Sequence, residues 1–296
     1  MKNILIFANE SQFSKELIQF FISRRFNVHI FSIKPFNDKS IFVNALPLQL
    51  TVSVMNVANH YNWKHEMPKH DIVINTLKFS DFHSHAQNSV FLNFTHQFAE
   101  TTLDLGKKVI YLSNILNEST HTKAINETEN AMLKLNPQIF YAKYAFLIDA
   151  SSRLLLSLMN ANAIFLSKRI LKSSIAITNS VDIQAFIMNV IDGNIQQQEV
   201  YISGESFTIR DIIDVIEKYI GKKTVVRIPH FVLRIASKML SLLPQTFYGR
   251  YLNYSYIIKR LECDWKYPKH NGHTKYTIFA SIVERQSCNI YNPKID

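Results

Sequence analysis

The sequence predicts an α/β protein: a doubly wound parallel sheet followed by a small C-terminal α/β lobe. Three observations predict it. Short apolar runs of β-formers recur along the first half, as in Ile4–Phe7, Val28–Ile33 and Val109–Ser113. Helix-spaced apolar residues separate the first two, so the chain opens as a strand–helix–strand unit, and such a crossover places its strands parallel. Beyond about residue 170 the pattern restarts with shorter elements, which suggests a main domain over 1–170 and a partly interleaved lobe over 171–296.

The elements follow in order. Ile4–Phe7 is a short buried strand. Ser11 or Ser14 caps a helix reaching about Arg25, with Leu17, Phe20 and Phe21 on its apolar face. Val28–Ile33 is the second strand, Leu50–Val57 the third, and Asp71–Asn75 the fourth, a polar entry into an apolar run. Val90–Leu105 has helical spacing, and Val109–Ser113 is a fifth strand ending in a hydroxyl. Residues 114–138 are polar and read as a loop. Tyr141–Met159 reads as a long helix with Ala145, Ile148, Ser152 and Leu155 along one side, and Ala163–Leu166 as a sixth strand. In the C-terminal part, Val181–Val190 is a helix, Glu199–Ser203 a strand, and Thr208 caps a helix closed by Gly221. Val225–Ile228 is a strand, and Pro229–Leu243 is an apolar helix stopped by Pro244.

Composition narrows the function classes. The chain has 296 residues, a hydrophobic fraction of 47% and a formal net charge of +10. That balance favours anionic ligands such as nucleotides and phosphosugars. Lys and Arg form no dense run and no nucleic-acid motif is present, which argues against a nucleic-acid partner. Two cysteines, Cys263 and Cys288, make no disulfide framework and point to a reducing compartment. With His270 and His273 they lack the paired spacing of a zinc site, so no metal is expected. His60, His65 and His70 read as surface residues, and His83 and His85 as an exposed loop. There is no signal-peptide pattern and no apolar stretch of membrane-spanning length, so the protein reads as soluble and cytoplasmic, without stable membrane insertion.

The order of landmarks resembles the extended short-chain dehydrogenase/reductase superfamily, in its epimerase/dehydratase branch acting on sugar nucleotides. ILIFANESQFSKEL stands where that family has a glycine-rich turn. VIYLSNILNEST resembles the strand delivering a catalytic Ser or Thr. NPQIFYAKYAFLIDASSRLL resembles the helix with the Tyr-x-x-x-Lys pair. EVYISGESFTIRDIIDVIEKYIGKK, then IPHFVLRIASKMLSLLP and CDWKYP, resemble the C-terminal lobe. The resemblance covers about residues 1–268 and implies a Rossmann-like sheet, an NAD or NADP cofactor, a nucleotide or nucleotide-sugar ligand and compatibility with a homodimer.

Departures from the family are as informative as matches. Its glycines would fall on Ala8, Ser11 and Ser14, none of which is glycine. A residue needing positive φ there would be strained, and a Cβ at Ser11 would crowd a pyrophosphate. The helix N-terminus at Gln12 and Phe13 still offers N–H groups and a dipole to an anion. The second strand ends in Ser32-Ile33-Lys34 with no carboxylate, so Lys34 favours the phosphorylated cofactor, NADP. In the catalytic set, Tyr141 takes the acid/base position and Ser113 or Asn114 the Ser/Thr position. Ala145 stands where the lysine belongs, and Lys143, two positions along a helix from Tyr141, would point elsewhere. Without its lysine the tyrosine would stay near a pKa of about 10, a poor base at neutral pH. The segment covering the sugar nucleotide is also short. The expectation is a diverged relative of nucleotide-sugar enzymes of surface polysaccharide synthesis, with impaired Ser-Tyr-Lys chemistry. Its alternative is a non-catalytic nucleotide-binding or protein-interaction scaffold.

Overall fold

The computed structural model describes residues 1–37, 45–46, 49–55, 61–78, 87–103, 105–114, 120–144, 146–147, 158–202, 206–233 and 235. The described chain divides into two compact units. One joins Met1–Tyr144 to Ser180–Ile202; the other joins Ala145–Asn179 to the chain from Ser203 onward. The chain therefore crosses between units three times; the sequence suggested a main domain over 1–170 and a partly interleaved lobe over 171–296.

The first unit carries the parallel sheet. Its elements in chain order are β1 (Asn3–Phe7), α1 (Gln12–Ser23), β2 (Asn27–Ser32), β3 (Leu50–Val54), the short α2 (Tyr61–Lys64), β4 (Ile72–Asn75), α3 (Gln87–Leu103), β5 (Lys108–Asn114), α4 (Thr120–Leu135) and β6 (Phe140–Tyr144). After the chain visits the second unit it returns as α6 (Ser180–Asp192) and β10 (Glu199–Ile202). Strand order is β10-β6-β5-β4-β1-β2-β3, and every neighbouring pair is parallel. Chain order reverses at β1, whose neighbours are β2 and β4, so the switch-point crevice opens at the carboxyl ends of β1 and β4, beside the start of α1, which is where open α/β sheets take ligands.

The sheet is buried on both faces, which is why β1 and β4 read as unbroken apolar runs. One face packs an aromatic cluster. The Phe7 ring meets Trp63 edge-on at 5.6 Å and Phe98 at 5.7 Å, and Tyr111 and Tyr141 continue the row.

The second unit is built from β7 (Phe146–Leu147), β8 (Ala163–Leu166), α5 (Lys168–Lys172), β9 (Ser174–Thr178), β11 (Ser206–Thr208), α7 (Ile209–Ile220) and β12 (Thr224–Arg227). Its core gathers Ile164, Ile170, Ile209, Ile213 and Ile216 among others. Thr208 caps α7 in a reciprocal capping box with Asp211, and Gly221 closes the helix at φ 111°. The sixth strand read from the sequence, Ala163–Leu166, pairs with β12 and lies outside the large sheet.

Two element assignments are corrected. Residues 120–135 form helix α4, where a loop was expected. Phe140–Tyr144 is a strand between β5 and β10, where a helix from Tyr141 was expected. Residues 148–157, most of the Pro229–Leu243 helix, CDWKYP and the Cys263–Cys288 group lie outside the described residues. So do His60, His83 and His85. His70, read as a surface residue, is buried at 7% exposure, and its Nδ1 lies 2.7 Å from the Glu66 carbonyl. Among the described residues no helix is long and apolar enough to cross a membrane, and no group of three metal-competent side chains occurs.

Candidate functional site

The first candidate region is the turn from β1 into α1. The Ala8 N–H donates to the Phe31 carbonyl at 3.0 Å, tying the turn to β2. Ser11 is the N-cap residue of α1, with φ −153° and ψ 161°. This is extended backbone open to any residue, so the turn does not call for glycine there and the expected strain is absent. The Ser11 hydroxyl accepts from the Ser14 N–H at 3.1 Å and lies 2.8 Å from the Ser14 hydroxyl. It thereby takes one of the donors that a phosphate would otherwise meet. Gln12 and Phe13 have no acceptor within α1 for their N–H groups, as at any helix start. The Phe13 side chain is buried and packs 6.4 Å from the Tyr144 ring.

At the end of β2, Ser32 is fully buried. Its hydroxyl lies 2.6 Å from the Lys34 carbonyl and 3.3 Å from Asn9 Oδ1, so it donates to acceptors of its own chain. The Lys34 side chain is exposed.

The second candidate region is the pair β5–β6. In register, Tyr111 stands opposite Tyr141 and Ser113 opposite Lys143. Because strand side chains alternate, Tyr141 and Lys143 share a face. The Lys143 ammonium lies 5.1 Å from the Tyr141 ring centroid and 3.6 Å from Glu199 Oε1. The expectation that Lys143 points away from Tyr141 is thus corrected, and the reason is the change from helix to strand.

Helix α4 lays Glu129 over these strands. Glu129 is 3% exposed; the Ser113 hydroxyl donates to Oε1 at 2.5 Å and the Tyr141 hydroxyl donates to Oε2. Burial raises the Glu129 pKa above the usual carboxylate range, against the lowering pull of Ser113, Tyr141 and the Lys143 charge. Tyr141 does not stay at its ordinary value. Burial first, then the Glu129 carboxylate, push its hydroxyl far up. Tyr111, also raised by burial and Glu129, faces Thr95 without a hydrogen bond of ordinary geometry. Tyr141 and Ser113 are brought together, but as two donors to one buried acid.

Sequence reasoning missed Glu129 on α4; the available signal was the helical spacing of Ile125, Glu129 and Met132.

No protein-family model matches the sequence, and no curated protein does either. Solved structures do match in fold. A nucleoside-diphosphate-sugar epimerase of Staphylococcus aureus aligns over 95% of this chain and 99% of its own, with TM-score 0.67 and 12% identity. The Bordetella bronchiseptica enzyme WbmG, solved in complex with NAD, aligns over 77% of this chain and 81% of its own, with TM-score 0.62 and 14% identity. A UDP-glucose 4-epimerase of Thermotoga maritima, solved with UDP-glucose, gives TM-score 0.58 at 10% identity over 77% of this chain and 86% of its own. At such identities the likeness is one of fold: a Rossmann-like sheet of the kind found in nucleotide-sugar epimerases and dehydratases.

Proposed function

We propose that this chain binds a nicotinamide dinucleotide on an epimerase/dehydratase-like fold, and that its ordinary Ser-Tyr-Lys chemistry is impaired. The observation carrying the second half is that Ser113 and Tyr141 both donate to the buried Glu129. A tyrosine whose proton is held by a buried carboxyl and whose pKa is driven upward serves poorly as an acid/base at neutral pH.

The first half rests on the turn. Ala8 and Ser14 are small, the backbone at Ser11 is relaxed, and the start of α1 offers the Gln12 and Phe13 N–H groups and the positive end of the helix dipole to a pyrophosphate. When bound, the nicotinamide would supply hydride transfer to or from a sugar carbon. The chain's own part is to hold the phosphates at α1 and the adenosine end beside β2. A nucleotide sugar is the ligand class that the related folds suggest, and surface polysaccharide synthesis in the cytoplasm is the setting. A second reading, a protein-interaction scaffold with no ligand, is favoured by one feature: Ser11 already takes the Ser14 N–H.

Calorimetric titration with NADH and NADPH tests the first half. Micromolar binding is expected, and none at millimolar cofactor would select the scaffold. Incubation with UDP-sugars tests the second half. Turnover at an ordinary enzymatic rate, lost in a folded Tyr141→Phe variant, would overturn it.

A further inference from the structure

The short parallel ribbon of β8 and β12 keeps one face on the core of the second unit and leaves the other open. Ile164 and Leu166 are buried in that core, whereas Phe165, between them, takes the opposite face and is 41% exposed. Its register partner Val226 is also exposed, so two apolar side chains share the outer face. The chain then turns over the carboxyl end of the ribbon. The Ile228 N–H donates to the Leu166 carbonyl at 3.1 Å, and His230 Nδ1 lies 3.3 Å from the Ser167 hydroxyl. A helical turn starts at His230. Leu233 joins the core, while Phe231, at 65% exposure, and Ile235, at 55%, stay outside. The same end carries positive charge. Lys168 and Arg169 open α5 directly after Ser167, Lys172 lies one turn on, and Arg227 ends β12. All four are exposed, and none makes a side-chain hydrogen bond or ion pair among the described residues. The acids described in this unit are on α7 and already engaged: Asp211 accepts from the Thr208 hydroxyl, and Asp214 and Glu217 lie 2.9 and 3.8 Å from Arg210.

We propose that this end of the second unit docks on an anionic membrane surface, lying on it without crossing. Two observations together select that partner. Unpaired Lys and Arg side chains are drawn to an anionic headgroup layer, each with about a fivefold gain in affinity. Exposed Phe and Ile beside them gain by leaving water for the boundary between headgroups and acyl chains. A nucleic-acid backbone or a soluble anion would satisfy the cations and leave Phe231 and Ile235 in water. The docking is separate from the dinucleotide reading, since no residue of the β1–α1 turn takes part in it.

The test is co-sedimentation of the full chain with vesicles of phosphatidylcholine alone and of an equal mixture of phosphatidylcholine and phosphatidylglycerol. Binding to the mixture is expected, weakening as salt rises, with little binding to phosphatidylcholine alone. Lys168→Ala should weaken it about fivefold, and Phe231→Ser about tenfold. Lys107→Ala, at an exposed cation of the first unit, should leave it unchanged. Thermal melts matching the parent establish that each variant is folded. No binding to the mixture, equal binding to both kinds of vesicle, or binding that Lys168→Ala and Phe231→Ser leave intact overturns the proposal. So does a lipid-free dimer that Phe231→Ser splits, which would show that a second copy of the chain covers this face.

Discussion

Replacing Tyr141 by Phe asks whether that hydroxyl belongs to the fold or to catalysis. The ring is fully buried in the row with Tyr111, so Phe keeps the packing and removes only the oxygen. What is lost is one of two hydroxyls donating to Glu129, and both lower the Glu129 pKa. Losing one raises that pKa further. The native variant then holds its proton to higher pH than the parent, and stability falls further as pH rises through the folded value. With Glu129 protonated the bond is between neutral groups, and its loss costs about 0.5–1.5 kcal/mol. With Glu129 ionised the cost is about 1.5–3 kcal/mol. Urea unfolding read by tryptophan fluorescence suits the question, because Trp63 lies buried in the same core cluster. The midpoint should fall with an unchanged slope, and fall further at the higher pH. A loss below about 0.5 kcal/mol at both pH values, under the range for a net hydrogen bond, would refute the structural role of this hydroxyl.

Further outcomes follow from the same geometry. Because burial raises the Glu129 pKa, the parent's stability from this group is full below the unfolded value and declines as pH rises through the folded one. Glu129→Gln should therefore gain on the parent with rising pH; a constant difference across pH would contradict the burial argument. Ser11→Gly removes the cap on Ser14 and the Cβ beside the helix start, so stability should drop by a few tenths of a kcal/mol. NADH binding by Ser11→Gly should tighten as the Ser14 N–H is released, and weaker binding would show that the serine helps hold the cofactor.

Several features were legible in the residues alone. The strands β1, β2, β4 and β5 announce themselves as apolar β-forming runs, and burial on both sheet faces is the reason. The Thr208 cap and Gly221 stop of α7 are local chemistry, set by a side chain reaching a nearby N–H and by a backbone at positive φ. The β1–α1–β2 unit and the parallel sheet follow from order and spacing, as does the place of the turn at Ala8–Ser14.

Tertiary structure decided the candidate site. The stretch FYAKY is short and mostly apolar, and such a run reads equally as helix or strand; pairing with β5 and β10 makes it a strand. Helix α4 hid because one position on its inner face is the acid Glu129, which breaks the apolar spacing between Ile125 and Met132. Only packing reveals why an acid is tolerated there: two hydroxyls from neighbouring strands converge on it. Periodicity records which face a residue presents along its own element. Which distant side chain meets that face depends on how the elements pack.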